Sequence, residues 1–242
     1  LGLQRQSWWT TDPMVAFARH EGSELVLDWT PSDSASVQQI EVYSNCNEVE
    51  LLLNGRSLGR KAMKSDARPA MYSVPFEPGE LVAKGYNNSV ECAVFRQVTA
   101  GKPYALKLDA SKGFYRKATA MVVDRDGNVC PQGSYPVTFR FISGQACITG
   151  TDNADPMDHA AHKSPMHPSW RGKCVAYLDS AVYRNVLTVS APGLVADTLV
   201  LEPRMHDGFE ETRESRNLRT QCINLDGLAM KFSYQVFGEK PR

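Results

Sequence analysis

The residue types able to do chemistry crowd into one stretch of this 242-residue chain: Asp152, Asn153, Asp155, Asp158, His159, His162 and His167. Clustered carboxylates and amides could supply the oxygens calcium requires. Imidazoles could hold zinc in a shaped cavity. Neither pattern closes on the sequence. Ala154 stands where an EF-hand order needs a ligand. His159 and His162 (HAAH) converge on one ion only if they lie on a helix, and Pro165 interrupts any such helix soon after. Asx residues beside Gly and Pro bond their own backbone and form turns. The stretch is therefore expected to be a surface loop, with no metal and no cofactor. Asp152 with Asp155, and Glu210 with Glu211, are the dense carboxyl pairs, and neither is expected to be catalytic. Tryptophans are the remaining candidates, because the apolar C–H face of a sugar stacks on an aromatic ring. Trp29 reads as core. Trp170, beside Arg171 at the end of the long loop, is the best single candidate for a sugar or interdomain contact, followed by Trp8 and Trp9.

The elements that would position these residues are strands. Ile40–Gly59, IEVYSNCNEVELLLNGRSLG, alternates apolar and polar residues and then places Asn54-Gly55 between two such runs. Asn-Gly reaches the two positive φ values of a type I′ hairpin turn with least strain. Asp126-Gly127 is a second hairpin signal. Short strands with turn residues between them recur along the chain, the pattern of an all-β sandwich rather than of βαβ units. Strands are expected near Leu25–Trp29, Ile40–Ser44, Val49–Leu53, Arg56–Lys61, Tyr72–Pro75, Gly79–Tyr86 and Val90–Gln97. A second set is expected near Ala105–Leu108, Thr119–Asp124, Val137–Ile142, Ala146–Ile148, Cys174–Leu178, Val186–Ser190 and Thr198–Leu201. No apolar stripe with helical period and helix length stands out. After Pro203 the composition changes: Glu210–Arg219 is charge-dense and reads as a short helix, and Leu228–Phe237 as one more strand.

Composition excludes several classes. Lys+Arg and Asp+Glu are both 27, giving a net charge of +0, so no basic excess exists to neutralise a phosphate backbone, and no nucleic-acid partner is expected. No apolar run is long enough to span a bilayer as a helix, and no membrane partner is expected. The chain opens LGLQRQS, which reads as the start of a cut-out piece. Cys46, Cys92, Cys130, Cys147, Cys174 and Cys222 form no C-x-x-C pair and mostly sit inside strand patterns, as buried thiols do. Their pairing stays open, because Ig-like sandwiches can carry an inter-sheet bridge.

The strand IEVYSNC and the hairpin EVELLLNGRSLG that follows it resemble the modules that follow the catalytic barrel in bacterial β-galactosidase-like enzymes of glycoside hydrolase family 2. Further matches follow in order: SWWTTDPMV (Ser7–Val15), LVLDWTP (Leu25–Pro31), VPFEPGELVAKGY (Val74–Tyr86), VTAGKP (Val98–Pro103), DRDGNVCP (Asp124–Pro131) and GTDNADP (Gly150–Pro156). The resemblance implies an all-β chain of two tandem immunoglobulin-like β-sandwich domains. Residues 1–23 would be a lead-in segment from a catalytic barrel, 24–100 and 101–202 the two sandwiches, and 203–242 a C-terminal tail. It also implies that Trp8 and Trp9 pack on that barrel, and that the chain is exported to the periplasm or beyond.

Retaining glycoside hydrolysis uses two carboxyls about 5–5.5 Å apart, and the family carries both on the barrel. The resemblance therefore implies a non-catalytic part that buttresses the barrel, shapes the rim of its pocket or builds an oligomer interface. Its partner would be the barrel of the same polypeptide, with carbohydrate as a second candidate and the oligomeric state open. The rival reading is a stand-alone carbohydrate-binding or adhesion module, which an exposed row of aromatics across one sheet face would favour.

Overall fold

A computed structural model describes residues 2–63, 68–111, 116–144, 146–178 and 184–202. The tail from residue 203, with the expected helix and strand and with Cys222, lies outside the described residues. The chain divides into two compact units, the first comprising Leu1–Lys102 with Cys130–Gln132, the second Pro103–Val129 with the rest.

The first unit runs α1 (Gly2–Trp9), β1 (Val15–Glu21), β2 (Glu24–Val26), β3 (Val37–Ser44), β4 (Glu48–Leu53), β5 (Arg56–Ala62), β6 (Ala70–Pro75), β7 (Glu80–Asn87) and β8 (Val90–Val98). Its two four-stranded sheets have the orders β2-β1-β3-β6 and β5-β4-β7-β8, all pairs antiparallel. The alternation that predicts β3 and β4 is the alternation that buries them. Ile40 and Val42 of one sheet face Val49, Leu51 and Leu53 of the other in one core with Phe17, Trp29, Tyr72, Val74 and Leu81. Burying each such side chain contributes about 1.5–3 kcal/mol.

The hairpin at Asn54-Gly55 has φ of 50° and 78°. Asn54 also ties the turn to the next strand: its Nδ2 donates to Pro78 O (3.0 Å) and its Oδ1 accepts from Glu80 N (2.9 Å). Gly79, at φ 133°, passes so close that an added Cβ would sit 1.9 Å from Asn54 Oδ1, whereas one on Gly55 would meet open space. Gly55→Ala is therefore expected to cost about 1 kcal/mol of backbone strain. Gly79→Ala adds the displacement of Asn54, at about 1 kcal/mol for each hydrogen bond lost. Urea melts of the two variants check this order; equal losses would refute it.

Three sequence expectations for this unit need correction. β1 lies inside the stretch assigned to the lead-in segment, yet it pairs with both β2 and β3 and buries Val15 through Arg19. A strand covered on both faces shows no alternation, so its pattern hides it. The strand expected over Leu25–Trp29 shrinks to β2, because Asp28 Oδ1 accepts from Thr30 N and turns the chain. An eight-residue helix, α1, occupies Gly2–Trp9, where no helix is expected.

The second unit runs β9 (Ala105–Ala110), β10 (Arg116–Val123), β11 (Pro136–Ser143), β12 (Ile148–Asp152), β13 (Met166–Pro168), β14 (Lys173–Leu178), β15 (Asn185–Ser190) and β16 (Asp197–Leu201). Its antiparallel sheets are β12-β14-β10-β9 and β13-β11-β15-β16. Leu106, Leu108, Val122, Val137, Phe139, Cys174, Ala176, Leu187 and Val189 are buried. The chain is thus all-β with sandwich architecture. The strand expected over Ala146–Ile148 is displaced into β12.

Asp126-Gly127 is not a two-residue hairpin. Gly127 alone of the pair has positive φ, 87°. The buried Asp124 carboxylate closes the turn, accepting from Asp126 N (3.0 Å), Asn128 N (2.8 Å) and Asn128 Nδ2 (3.1 Å). Val123 and Val129 then meet in a single bridge. An Asp that captures backbone amides overrides the local Asp-Gly preference.

Candidate functional site

The polar stretch from Asp152 onward is built mostly of self-bonded turns. Asp152 Oδ1 accepts from Ala154 N (2.9 Å), Asn153 Oδ1 from Asp155 N (2.9 Å), Asp155 Oδ1 from Met157 N (2.9 Å) and Asp158 Oδ1 from Ala160 N (2.8 Å). Asn153 is buried and its Nδ2 donates to Asp158 Oδ2 (2.7 Å) and Pro168 O (3.0 Å), anchoring the turns to β13. The Ala160 amide, against an opposing desolvation and helped by His167 and Asn153, holds the Asp158 carboxyl below its ordinary range. Asp152 and Asp155 thus each spend one carboxylate oxygen on a backbone amide.

The expectation of a plain surface loop fails at its far end. β13 pairs with β11, with Val137 opposite His167, and the His167 side chain is 0% exposed. His167 Nδ1 lies 3.3 Å from Thr151 Oγ1, whose hydroxyl donates to Ser164 O at 2.7 Å. Nε2 lies 2.8 Å from Asp158 Oδ2, but the carboxylate sits off the axis along which that nitrogen would direct a proton, so Nε2 makes no directed hydrogen bond. His162 stacks on His167 with ring centroids 5.6 Å apart and planes 18° from parallel, and its Nδ1 is 3.2 Å from Thr151 O. One ligand atom each from Asp152, His162 and His167 falls within 4.8 Å of the others. Two imidazoles and a carboxylate converge, and His159, singled out with His162 in the sequence, is not among them. The pairing of β13 across the sheet makes this constellation, and no local spacing encodes it.

Trp170 is half-buried at the base of a second tight hairpin. It exchanges both backbone hydrogen bonds with Lys173 (2.9 and 3.0 Å), around Arg171 at φ 48° and Gly172 at φ 70°. The Arg171 guanidinium lies 5.0 Å from the Trp170 ring centroid. Trp8 and Trp9 lie on α1, 49% and 77% exposed. Trp29 is fully buried. Cys46 and Cys174 are buried free thiols and Cys92 an exposed one, Cys130 is buried with its Sγ 3.5 Å from Gly101 O, and Cys46 Sγ and Cys92 Sγ stand 3.3 Å apart. Burial pushes the Cys174 thiol up to about 12.

Residues 106–200, nearly the whole described span of the second unit, match the family model for the glycoside hydrolase family 2 C-terminal domain 5. This unit is a family 2 glycoside hydrolase C-terminal domain. Residues 35–93 of the first unit match a domain of unknown function, DUF4982. A β-galactosidase, BoGH2A, of Bacteroides ovatus is 28% identical over 201 residues, 78% of this chain and 22% of its own length. A putative β-glucuronidase of Formosa agariphila is 35% identical over 153 residues, 57% of this chain and 18% of its own. Among solved structures, a glycosyl hydrolase family 2 member from Bacteroides cellulosilyticus superposes with a TM-score of 0.76 at 25% identity, over 82% of this chain and 30% of that one. A β-glycosidase from Bacteroides vulgatus does so with 0.73 at 29% identity, over 82% and 26%. The chain thus spans about a fifth of the length of the curated relatives it matches. The Asp152–His162–His167 cluster falls inside the family 2 domain, drawn from the end of β12, the turn that follows and β13.

Proposed function

We propose that these family 2 modules are the non-catalytic scaffold of a β-glycosidase, supporting a catalytic barrel of the same polypeptide, exported to the periplasm or beyond. The observation that carries this reading is the distribution of exposed aromatics. Trp8 and Trp9 project from α1 of the first unit, and an exposed tryptophan pair on a short helix suits packing against a further domain. A sugar-binding face would instead set its rings in a row across a sheet. Among the described residues the other exposed aromatics are Tyr104 and Tyr177, the first in a loop and the second alone on β14. Asp152 and Asp155 each give one carboxylate oxygen to the amide of a local turn, the ordinary role of an Asp in such a loop.

Expression of the barrel with and without these modules tests the role. The barrel is expected to melt lower and turn over a chromogenic β-glycoside more slowly when they are removed, and the modules alone to show no turnover. Trp9→Ala in the complete polypeptide is expected to lower the barrel's melting temperature while leaving the modules' own transitions unchanged. A barrel equally stable and active without the modules would overturn the scaffold role. Hydrolysis by the modules alone would overturn their non-catalytic assignment.

A further inference from the structure

The scaffold role makes no use of the cluster formed by Asp152, His162 and His167. Thr151 has one hydroxyl proton, directed to Ser164 O at 2.7 Å. Its oxygen can then only accept from His167 Nδ1, so the ring proton of a neutral His167 sits on Nδ1. Nε2 is left offering a lone pair 2.8 Å from the Asp158 Oδ2 carboxylate oxygen, at a side chain with 0% exposure. Two electron-rich atoms in contact away from water is a costly arrangement. A proton on Nε2 does not repair it, because the carboxylate lies off the donor axis. His162 obeys the same logic. Its Nδ1 faces the Thr151 carbonyl, which can only accept, so its Nε2 also carries a lone pair. Asp152 gives Oδ1 to the Ala154 amide and keeps Oδ2.

We infer that Asp152, His162 and His167 bind a divalent transition-metal ion of the zinc class, with Asp158 as an outer partner beside His167. Two imidazoles with a carboxylate select such ions over calcium, which is held by oxygens. Both histidines direct the other ring N–H to an oxygen of Thr151, the outer-shell bonding that fixes the tautomer of a metal-ligating imidazole. The ion acts as a clip. β13 pairs with β11 through only three residues, and the metal joins it to the end of β12 and to the turn bearing His162.

The test uses the full chain without a histidine tag and with Cys92→Ser, so that the adjacent Cys46 and Cys92 thiols cannot compete. After chelator treatment the protein is titrated calorimetrically with zinc chloride and, separately, with calcium chloride. One zinc per chain is expected, no calcium heat, and a rise in the second unit's melting temperature that chelator reverses. His162→Gln alters an exposed side chain and is expected to fold and to weaken zinc binding about tenfold or more. Asp152→Asn keeps the Ala154 hydrogen bond and is expected to act in the same direction. His159→Gln is expected to change nothing. Cobalt should give a visible spectrum of nitrogen and oxygen ligation without thiolate charge transfer. No zinc heat, zinc binding indifferent to His162→Gln, or calcium binding in place of zinc would each overturn the proposal.

Discussion

Replacing Trp29 with alanine is expected to destabilise the first unit by about 3–5 kcal/mol, the range for removing a buried aromatic. The indole is fully buried in the core that both sheets share, with its ring 5.2 Å from the Phe76 ring. Its Nε1 donates to Glu77 O at 3.1 Å, so truncation opens a cavity and also strands a carbonyl. The two contributions are separable. Trp29→Phe keeps most of the ring volume and loses the hydrogen bond, so it is expected to cost less than half as much. For a unit of this size each kcal/mol moves the melting temperature by about 4–8 °C. The alanine variant should therefore lower the first-unit transition by roughly 12 °C or more. Because the chain has two compact units, the measurement must resolve two transitions, and the second should not move. A first-unit shift of a degree or two would mean that the indole is not part of that core.

What the sequence made legible was local. Asn54-Gly55 carries its own turn geometry, and the Val49, Leu51, Leu53 alternation names its buried face without reference to any partner. What it hid depends on pairing between distant strands. His167 reads as a loop residue because Pro165 and Pro168 flank it, and only the pairing with Val137 makes it a strand position pointing inward. His162 reaches it through the Thr151–His162 backbone hydrogen bond of 2.7 Å, not through helical spacing to His159. The Arg171-Gly172 turn lacks the Asn that advertises such hairpins, so the position of Trp170 at its base was not readable either. Arg19 shows the converse failure. A charged residue in a strand pattern is ordinarily taken to face solvent, and this one is 1% exposed.

Arg19 is buried because its neighbours were chosen to receive it. Nη2 meets Asp28 Oδ1 at 2.8 Å, and Nη1 meets the Glu21 carboxylate, with Gln38 Oε1 and His20 O each at 3.3 Å. Arg19→Met keeps much of the volume and removes the charge, leaving Glu21 and Asp28 as unpaired carboxylates at one partly buried site. Breaking a buried pair from one side costs about 3–5 kcal/mol. The two carboxylates retain some water, at 22% and 20% side-chain exposure, so the lower end, about 3 kcal/mol, is expected at neutral pH. The pH dependence identifies the cause. Desolvation pushes the Glu21 carboxyl up, but hydrogen bonds from Ser32 and Arg19 and the Arg19 charge outweigh it, and the folded-state pKa is lowered. A depressed carboxyl pKa contributes stability that is present above the unfolded value, about 4.3, and is lost as pH falls through the folded value. Wild type should therefore lose part of its advantage over Arg19→Met below about pH 4, where the variant's carboxylates take up protons and stop repelling. Urea melts at neutral and acid pH measure both arms. A difference between the two proteins that stays constant across that window would assign the loss to packing alone and remove the ion-pair account of why this arginine is inside.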